Sequence, residues 1–162
     1  MIGLVEEPEP WTFGGAVVVV DTCVLVDFAL ETAERHPDAV LVFRLLTERR
    51  IRIRAPYHAA FEFLATVRRS VLLDGATQAS HSGMADHSLV VAVHTVPINS
   101  AFTDHYTTTG LPHLKAGDLI FLALARGDGA TLITEDNDLH NKAPLAGVRC
   151  FKMRQYIESG PA

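Results

Sequence analysis

The most constraining stretch of this chain is Ala16-Val17-Val18-Val19-Val20, followed at once by Asp21. A β-branched run of this kind leaves no polar face. It suits a strand buried on both sides, which sets it in the interior of a parallel sheet. A charged residue directly after it falls at the carboxyl end of that strand. In open parallel sheets ligands bind beyond those ends, near the point where strand order reverses. One short segment thus points to a fold class and to a place for chemistry.

The rest of the chain supports the same architecture. Helices are expected over Thr22–Ala33, Asp38–Arg49, Asn99–Thr108 and Lys115–Arg126, and another from Pro56, a residue that favours helix starts, to about Leu73. Further strands are expected at Ile51–Arg54, Leu89–Val96, Ala130–Thr134 and Val148–Phe151. Five strands alternating with helices predict an α/β domain with a mainly parallel sheet. Residues 1–15, with Pro8, Pro10 and Gly14-Gly15, read as an N-terminal extension to a single domain over residues 16–158. Asp74–His87, small and polar, reads as a loop or weak helix.

The 162 residues suffice for one domain. At 48% hydrophobic and 20% charged, the chain can bury a core and is not a disordered tail. A formal net charge of -5 argues against holding nucleic acid by bulk electrostatics. Two cysteines, Cys23 and Cys150, are too few for a secreted disulfide scaffold, so reduced thiols and a cytoplasmic location are expected. Met1–Pro10 carries three glutamates and no Lys or Arg, unlike a signal peptide. The apolar runs Ala16–Val20 and Leu119–Ala125 are too short to span a bilayer, so no membrane partner is expected.

The question becomes where the acids fall. Asp21 ends one strand, and Asp136 lies two residues past another, in Thr134-Glu135-Asp136-Asn137-Asp138. Each alone could be a helix N-cap, worth about 1 kcal/mol. Asp118 heads the apolar helix Gly117-Asp118-Leu119-Ile120-Phe121, where capping or a helix-dipole contact would also explain it. Glu62 lies between Phe61 and Phe63 in a largely apolar helix that is expected to be packed on most sides. A carboxylate there needs a partner or a cation. The competing explanation is an ion pair with His58, four residues earlier, or with a distant arginine. Taken together, four carboxylates facing one cleft would repel one another and raise their own pKa values. Oxygen-only clusters of this kind suit Mg²⁺ or Mn²⁺. Two such ions about 4 Å apart can stabilise the attacking and leaving oxygens of phosphodiester hydrolysis. They would also bring the formal charge from -5 to about -1.

The segment Val17–Val20 with Asp21-Thr22-Cys23, the helix bearing Glu62, the Gly117-Asp118-Leu119-Ile120 segment and Leu132-Ile133-Thr134-Glu135-Asp136 resemble, in order and spacing, the PIN-domain family. They are most similar to its VapC-type toxin ribonucleases. The resemblance covers roughly Val17 to Phe151. It implies a five-stranded parallel sheet between helices, an acidic pocket for Mg²⁺ or Mn²⁺, and metal-dependent RNA cleavage. Carried over residue by residue, Asp21, Glu62, Asp118 and Asp136 are the catalytic and metal-holding acids. Thr134 matches a hydroxyl that orients a carboxylate or water, Asp138 a less regular acidic position, and Thr22 a contact beside Asp21. Cys23 stands where the family often has Asn or Ser, which leaves a side-chain hydrogen bond at that position open. The resemblance further implies an antitoxin protein as resting partner, and a homodimer.

Basic residues must flank an acidic pocket that receives RNA. Arg49, Arg50, Arg52, Arg54, Arg68, Arg69, Lys115 and Lys142 are available. Arg68 and Arg69, two turns beyond Glu62, and Lys115, just before Asp118, are the nearest in sequence. Single-stranded or looped RNA is favoured, because its bases are exposed for reading. Other readings are weaker. A phosphatase or phosphotransferase with Asp21 as nucleophile wants a second acid two residues on, where Cys23 stands. A topoisomerase-primase-like site wants its glutamate after the first strand, whereas Glu62 lies mid-helix. No glycine-rich phosphate loop follows a strand, and no histidine pair has zinc spacing. A PIN-like binding module without activity is the non-enzymatic alternative, against which the intact set of acids argues.

Overall fold

The computed structural model describes residues 1–6, 16–73, 91–106 and 109–159. The expected Asp74–His87 segment lies outside them, as do the first two residues of the strand expected over Leu89–Val96 and the last two of the helix expected over Asn99–Thr108. In chain order the elements are β1 (Ile2–Glu6), β2 (Val17–Val20), α1 (Thr22–Ala29), α2 (His36–Glu48), β3 (Arg52–Pro56), α3 (His58–Leu73), β4 (Val91–Val96), α4 (Ser100–His105), α5 (Ala116–Gly127), β5 (Thr131–Ile133), α6 (Asn137–Lys142), β6 (Cys150–Phe151) and α7 (Met153–Ser159). A 3₁₀ turn over Ala143–Ala146 joins α6 to β6.

The strands form one sheet in the order β1-β4-β3-β2-β5-β6. Every pairing is parallel. β2 lies inside the sheet, as its unbroken valine run demands. Val18 and Val19 register with Ile53 and Arg54 of β3 on one side and with Thr131 and Leu132 of β5 on the other. From β2 the chain builds outward through β3 and β4, then crosses back to lay β5 and β6 on the opposite side. Strand order therefore reverses between β2 and β5, and the crevice beyond their carboxyl ends is the favoured place for a ligand.

Among the described residues six strands are present where the sequence predicts five. The added one is β1, drawn from the residues read as an extension. Ile2–Glu6 pairs with β4 as an edge strand, and Leu4 and Val5 stay half exposed. An edge strand needs no continuous β-branched run, and Gly3 breaks the pattern that marks β2.

Helices cover the sheet through ordinary amphipathic spacing. Ala39, Val42, Phe43 and Leu46 of α2 recur at three- and four-residue intervals and are fully buried. Phe28 of α1 meets Phe43 with ring centroids 4.7 Å apart. In α5 the whole run Phe121–Ala125 is buried, and the helix packs on β2, β3 and β5. The sequence reading has no helix at α7. Its signal is local: Gln155 Oε1 accepts the Lys152 N–H at 2.9 Å, one half of a capping box.

Arg54, counted above among the basic residues available to RNA, is instead 2% exposed and ion-paired to Asp128. Tyr106 Oη donates to Asp128 Oδ1 at 2.9 Å and completes a buried polar triad. Gly127 approaches the Tyr106 ring so closely that no Cβ fits there. Among the described residues no helix is long and apolar enough to cross a membrane.

Candidate active site

Asp21 leaves β2 at the switch point, and its backbone N–H donates to Ile133 O of β5 at 3.0 Å. It holds the N-cap position of α1, yet its side chain makes no capping hydrogen bond. The carboxylate turns instead to β5. Thr134 Oγ1 donates to Asp21 Oδ2 at 2.5 Å, and Cys23 Sγ donates to the same oxygen at 3.2 Å. The side-chain hydrogen bond left open at Cys23 is therefore present. The turn after β5 is tied in as well. Asp136 N–H donates to Thr134 Oγ1 at 2.9 Å, and Glu135 N–H to Cys23 Sγ at 3.3 Å. Thr134, fully buried, thus bridges the Asp21 carboxylate and the Asp136 backbone.

Asp136 does cap its helix: Oδ1 accepts the Leu139 N–H at 2.9 Å. The capping explanation holds for that oxygen. Asp118 stands in the first turn of α5, whose N-cap is Lys115. There its charge favours the positive end of the helix dipole.

Glu62 differs from expectation. Its side chain is 49% exposed, and its neighbours Phe61 and Leu64 are 65% and 55% exposed. The helix α3 packs mainly on α1 and β3, so much of its apolar sequence lies outside the core. Glu62 is nevertheless drawn towards the switch point. Thr22 Oγ1 donates to Glu62 Oε2 at 2.7 Å. A Cβ built on Gly117, the residue before Asp118, would stand 3.5 Å from Glu62 Oε1. The competing His58 contact is present but loose, with Nε2 at 4.0 Å from Oε2. Neither ring nitrogen of His58 has a hydrogen-bond partner among the described residues, and the ring packs edge-on against Phe121.

The charges of the other acids reach the carboxyls of Asp21 and Asp118. Burial pushes the Asp21 carboxyl above its usual range; hydrogen bonds from Thr134, Cys23 and the Thr22 backbone oppose this, and the charge of Glu62 adds to it. Burial also raises Asp118, followed by the charges of Asp136 and Asp21; Lys115 opposes, and Glu62 adds. Burial is the first cause for Cys23 too, and the Asp21 charge the second, so its thiol stays protonated and able to donate. Burial lowers His58, against the pull of Glu62 and Asp21.

The remaining predicted residues are placed as follows. Asp138 is exposed and ion-paired to Lys142 at 2.8 Å, so it belongs to the surface of α6 rather than to this group. Lys115 is exposed beside Asp118, and Arg68 and Arg69 are exposed along α3. The residues that sequence reasoning missed are Cys23 as a hydrogen-bonding partner, and the Glu135 N–H that it receives. A polar-capable side chain two residues after a strand-end acid was the available signal.

A donor set of carboxylates alone fits a hard divalent cation in chemistry, and mutual repulsion among the acids is what such a cation would relieve. Among the described residues no three His, Cys, Asp or Glu side chains stand close enough together to enclose an ion. Mg²⁺ commonly keeps several waters and takes only one or two protein carboxylates, so partial enclosure remains compatible with it.

A family model described as the PIN domain matches residues 18–144. Comparison with curated proteins finds no match. Among solved structures, the chain is similar to VapBC2 from Rickettsia felis bound to a DNA fragment from their promoter, with a TM-score of 0.54 at 17% identity, covering 84% of this chain and 98% of that one. It is also similar to a PilT N-terminus domain protein from Sulfolobus solfataricus, with a TM-score of 0.48 at 14% identity, covering 88% and 92%. FitAB bound to a DNA fragment gives a TM-score of 0.48 at 17% identity, covering 84% and 94%. At 17% identity the likeness to VapBC2 is one of fold.

Proposed function

The chain belongs to the PIN-domain family, and from that premise we propose that it is a metal-dependent endoribonuclease acting as the toxin of a VapBC-type toxin–antitoxin pair. The observation that carries this is electrostatic. Asp118, which lies on a different element from each of the others, has its carboxyl raised by the charges of Asp136, Asp21 and Glu62, after burial itself. That the charges of three acids from other parts of the chain reach the Asp118 carboxyl supports a shared site near the β2–β5 switch.

Asp21, Glu62, Asp118 and Asp136 would hold Mg²⁺ or Mn²⁺, in part through the waters that such an ion keeps. When bound, the ion supplies an activated water and stabilises charge on the scissile phosphate. The protein's own groups do the rest. Thr134 and Cys23 restrain Asp21 by donating to one of its oxygens. Thr22 restrains Glu62 in the same way. Lys115 offsets the acid charge on the side of α5 and, with Arg68 and Arg69, would meet backbone phosphates. A single-stranded or looped RNA is the substrate class that leaves bases open to reading.

The structural likeness to VapBC2 supports an antitoxin as partner, in a complex able to sit on promoter DNA. A homodimer and a cytoplasmic location complete the proposal. A second reading, a PIN-like RNA- or protein-binding module without activity, is favoured by the lack of a closed ion cage among the described residues. Cleavage of a panel of single-stranded RNAs in Mn²⁺ separates the two. The nuclease reading expects cleavage by the wild type, none in EDTA, and a loss of at least about 100-fold in Asp21→Asn. Equal cleavage by both proteins overturns the site, and binding without cleavage by the wild type supports the module.

A further inference from the structure

We propose that Cys23 is a positioning residue: its thiol ties Asp21 Oδ2 to the Glu135 backbone, so that Asp21 offers its other oxygen, Oδ1, to a divalent cation. This rests on the nuclease reading above and goes beyond the set of acids. Sγ lies 3.2 Å from Asp21 Oδ2 and accepts the Glu135 N–H at 3.3 Å. It stands 3.9 Å from Thr134 Oγ1, which approaches the same Oδ2 at 2.5 Å. Two donors converge on one oxygen of the carboxylate. An oxygen occupied in this way is a poor ligand, and coordination passes to the other.

Two further facts favour positioning over filling. The Asp21 side chain does not cap its own helix, so apart from the Thr22 backbone its orientation rests on these two donors. The thiol also spans the two segments that flank the switch point, the β2–α1 junction and the turn after β5. Glu135 lies between Thr134 and Asp136, so holding its N–H holds the turn from which Asp136 departs. An apolar side chain of similar volume could fill the space, but it could neither donate to Oδ2 nor accept from Glu135.

The test measures Mn²⁺ binding without RNA, on the full chain, by titration calorimetry and by the rise in melting temperature on adding Mn²⁺. Groups that orient metal ligands typically matter 10- to 100-fold in metal affinity, and a thiol is a weak donor. Cys23→Val should therefore bind Mn²⁺ about tenfold more weakly, and Cys23→Ser, which restores donor and acceptor, should return to within about threefold of the wild type. Cys23→Ala should follow Cys23→Val, and it replaces that variant if the latter fails to fold. A role in packing alone would lower the melting temperature in EDTA without changing the increment that Mn²⁺ adds. The proposal is overturned if Cys23→Val or Cys23→Ala binds Mn²⁺ as the wild type does, or if Cys23→Ser binds as weakly as they do. A wild-type protein that binds no Mn²⁺ overturns the metal-dependent reading itself.

Discussion

Replacing Thr134 by Val isolates the hydrogen bonds at the centre of the site. The two side chains have nearly the same shape, and Thr134 is fully buried, so packing is conserved. What is lost is the donor to Asp21 Oδ2 at 2.5 Å and the acceptor for the Asp136 N–H at 2.9 Å. A hydrogen bond to a charged group is worth about 1.5–3 kcal/mol and a neutral one about 0.5–1.5 kcal/mol. The added apolar methyl recovers roughly 1 kcal/mol. The net loss in metal-free protein should be about 1–3 kcal/mol, a fall in the urea midpoint of the order of 1 M at unchanged slope. The loss should also depend on pH. The Thr134 bond favours ionised Asp21, whose carboxyl burial holds above its ordinary value. The gap between the proteins should be full above that raised pKa and shrink as pH falls through it. Thr134→Ser should restore most of the midpoint. A Thr134→Val midpoint within about 0.2 M of the wild type at neutral pH would refute the reasoning.

Other expectations follow from the same structure. Raised carboxyls at Asp21 and Asp118 mean that the native state binds more protons than the unfolded one between the ordinary aspartate pKa and the raised values. Metal-free protein should therefore lose stability as pH rises through that window, while Mn²⁺ affinity rises; calorimetry at several pH values that found affinity flat would contradict this. Asp128→Ala strips the buried Arg54 guanidinium of its carboxylate partner and should lower stability by about 3–5 kcal/mol in urea unfolding; a loss below about 1 kcal/mol would contradict it. Gly127→Ala should destabilise by about 1–3 kcal/mol, because its Cβ meets the Tyr106 ring. Helix propensity alone predicts a gain of about 0.8–1 kcal/mol, so thermal melts decide by sign.

The interior of the fold was legible where one physical demand dominated. Val17–Val20 could only be a doubly buried strand, and Asp21 therefore had to emerge at its carboxyl end. The apolar run after Asp118 left α5 little choice but the core. Legibility failed where exposure depends on neighbours distant in sequence. Phe61 and Leu64 look like core residues in the sequence, yet no described element covers them, and Glu62 between them is half exposed. In the sequence Arg54 counts as one more basic residue available to RNA. Arg54 instead turns inward to Asp128, 74 residues later, a pairing that no local pattern announces. β1 was hidden for a related reason, because its partner β4 lies some 90 residues away in the chain. The places of Asp21 at a strand end, Asp118 at a helix start and Asp136 after β5 were legible one by one. Their cross-links through Thr22, Cys23 and Thr134 were not, since each joins segments that only the sheet brings together.

The proposed nuclease requires that four acids act as one catalytic unit. Single-turnover cleavage of a single-stranded RNA in saturating Mn²⁺, by Asp21→Asn, Asp118→Asn and the double variant, tests it most directly. Residues that act together show strongly non-additive losses. The double variant should be no slower than the worse single one, each about 100-fold or more below the wild type. Losses that multiply, or single variants that cleave like the wild type, would contradict the claim.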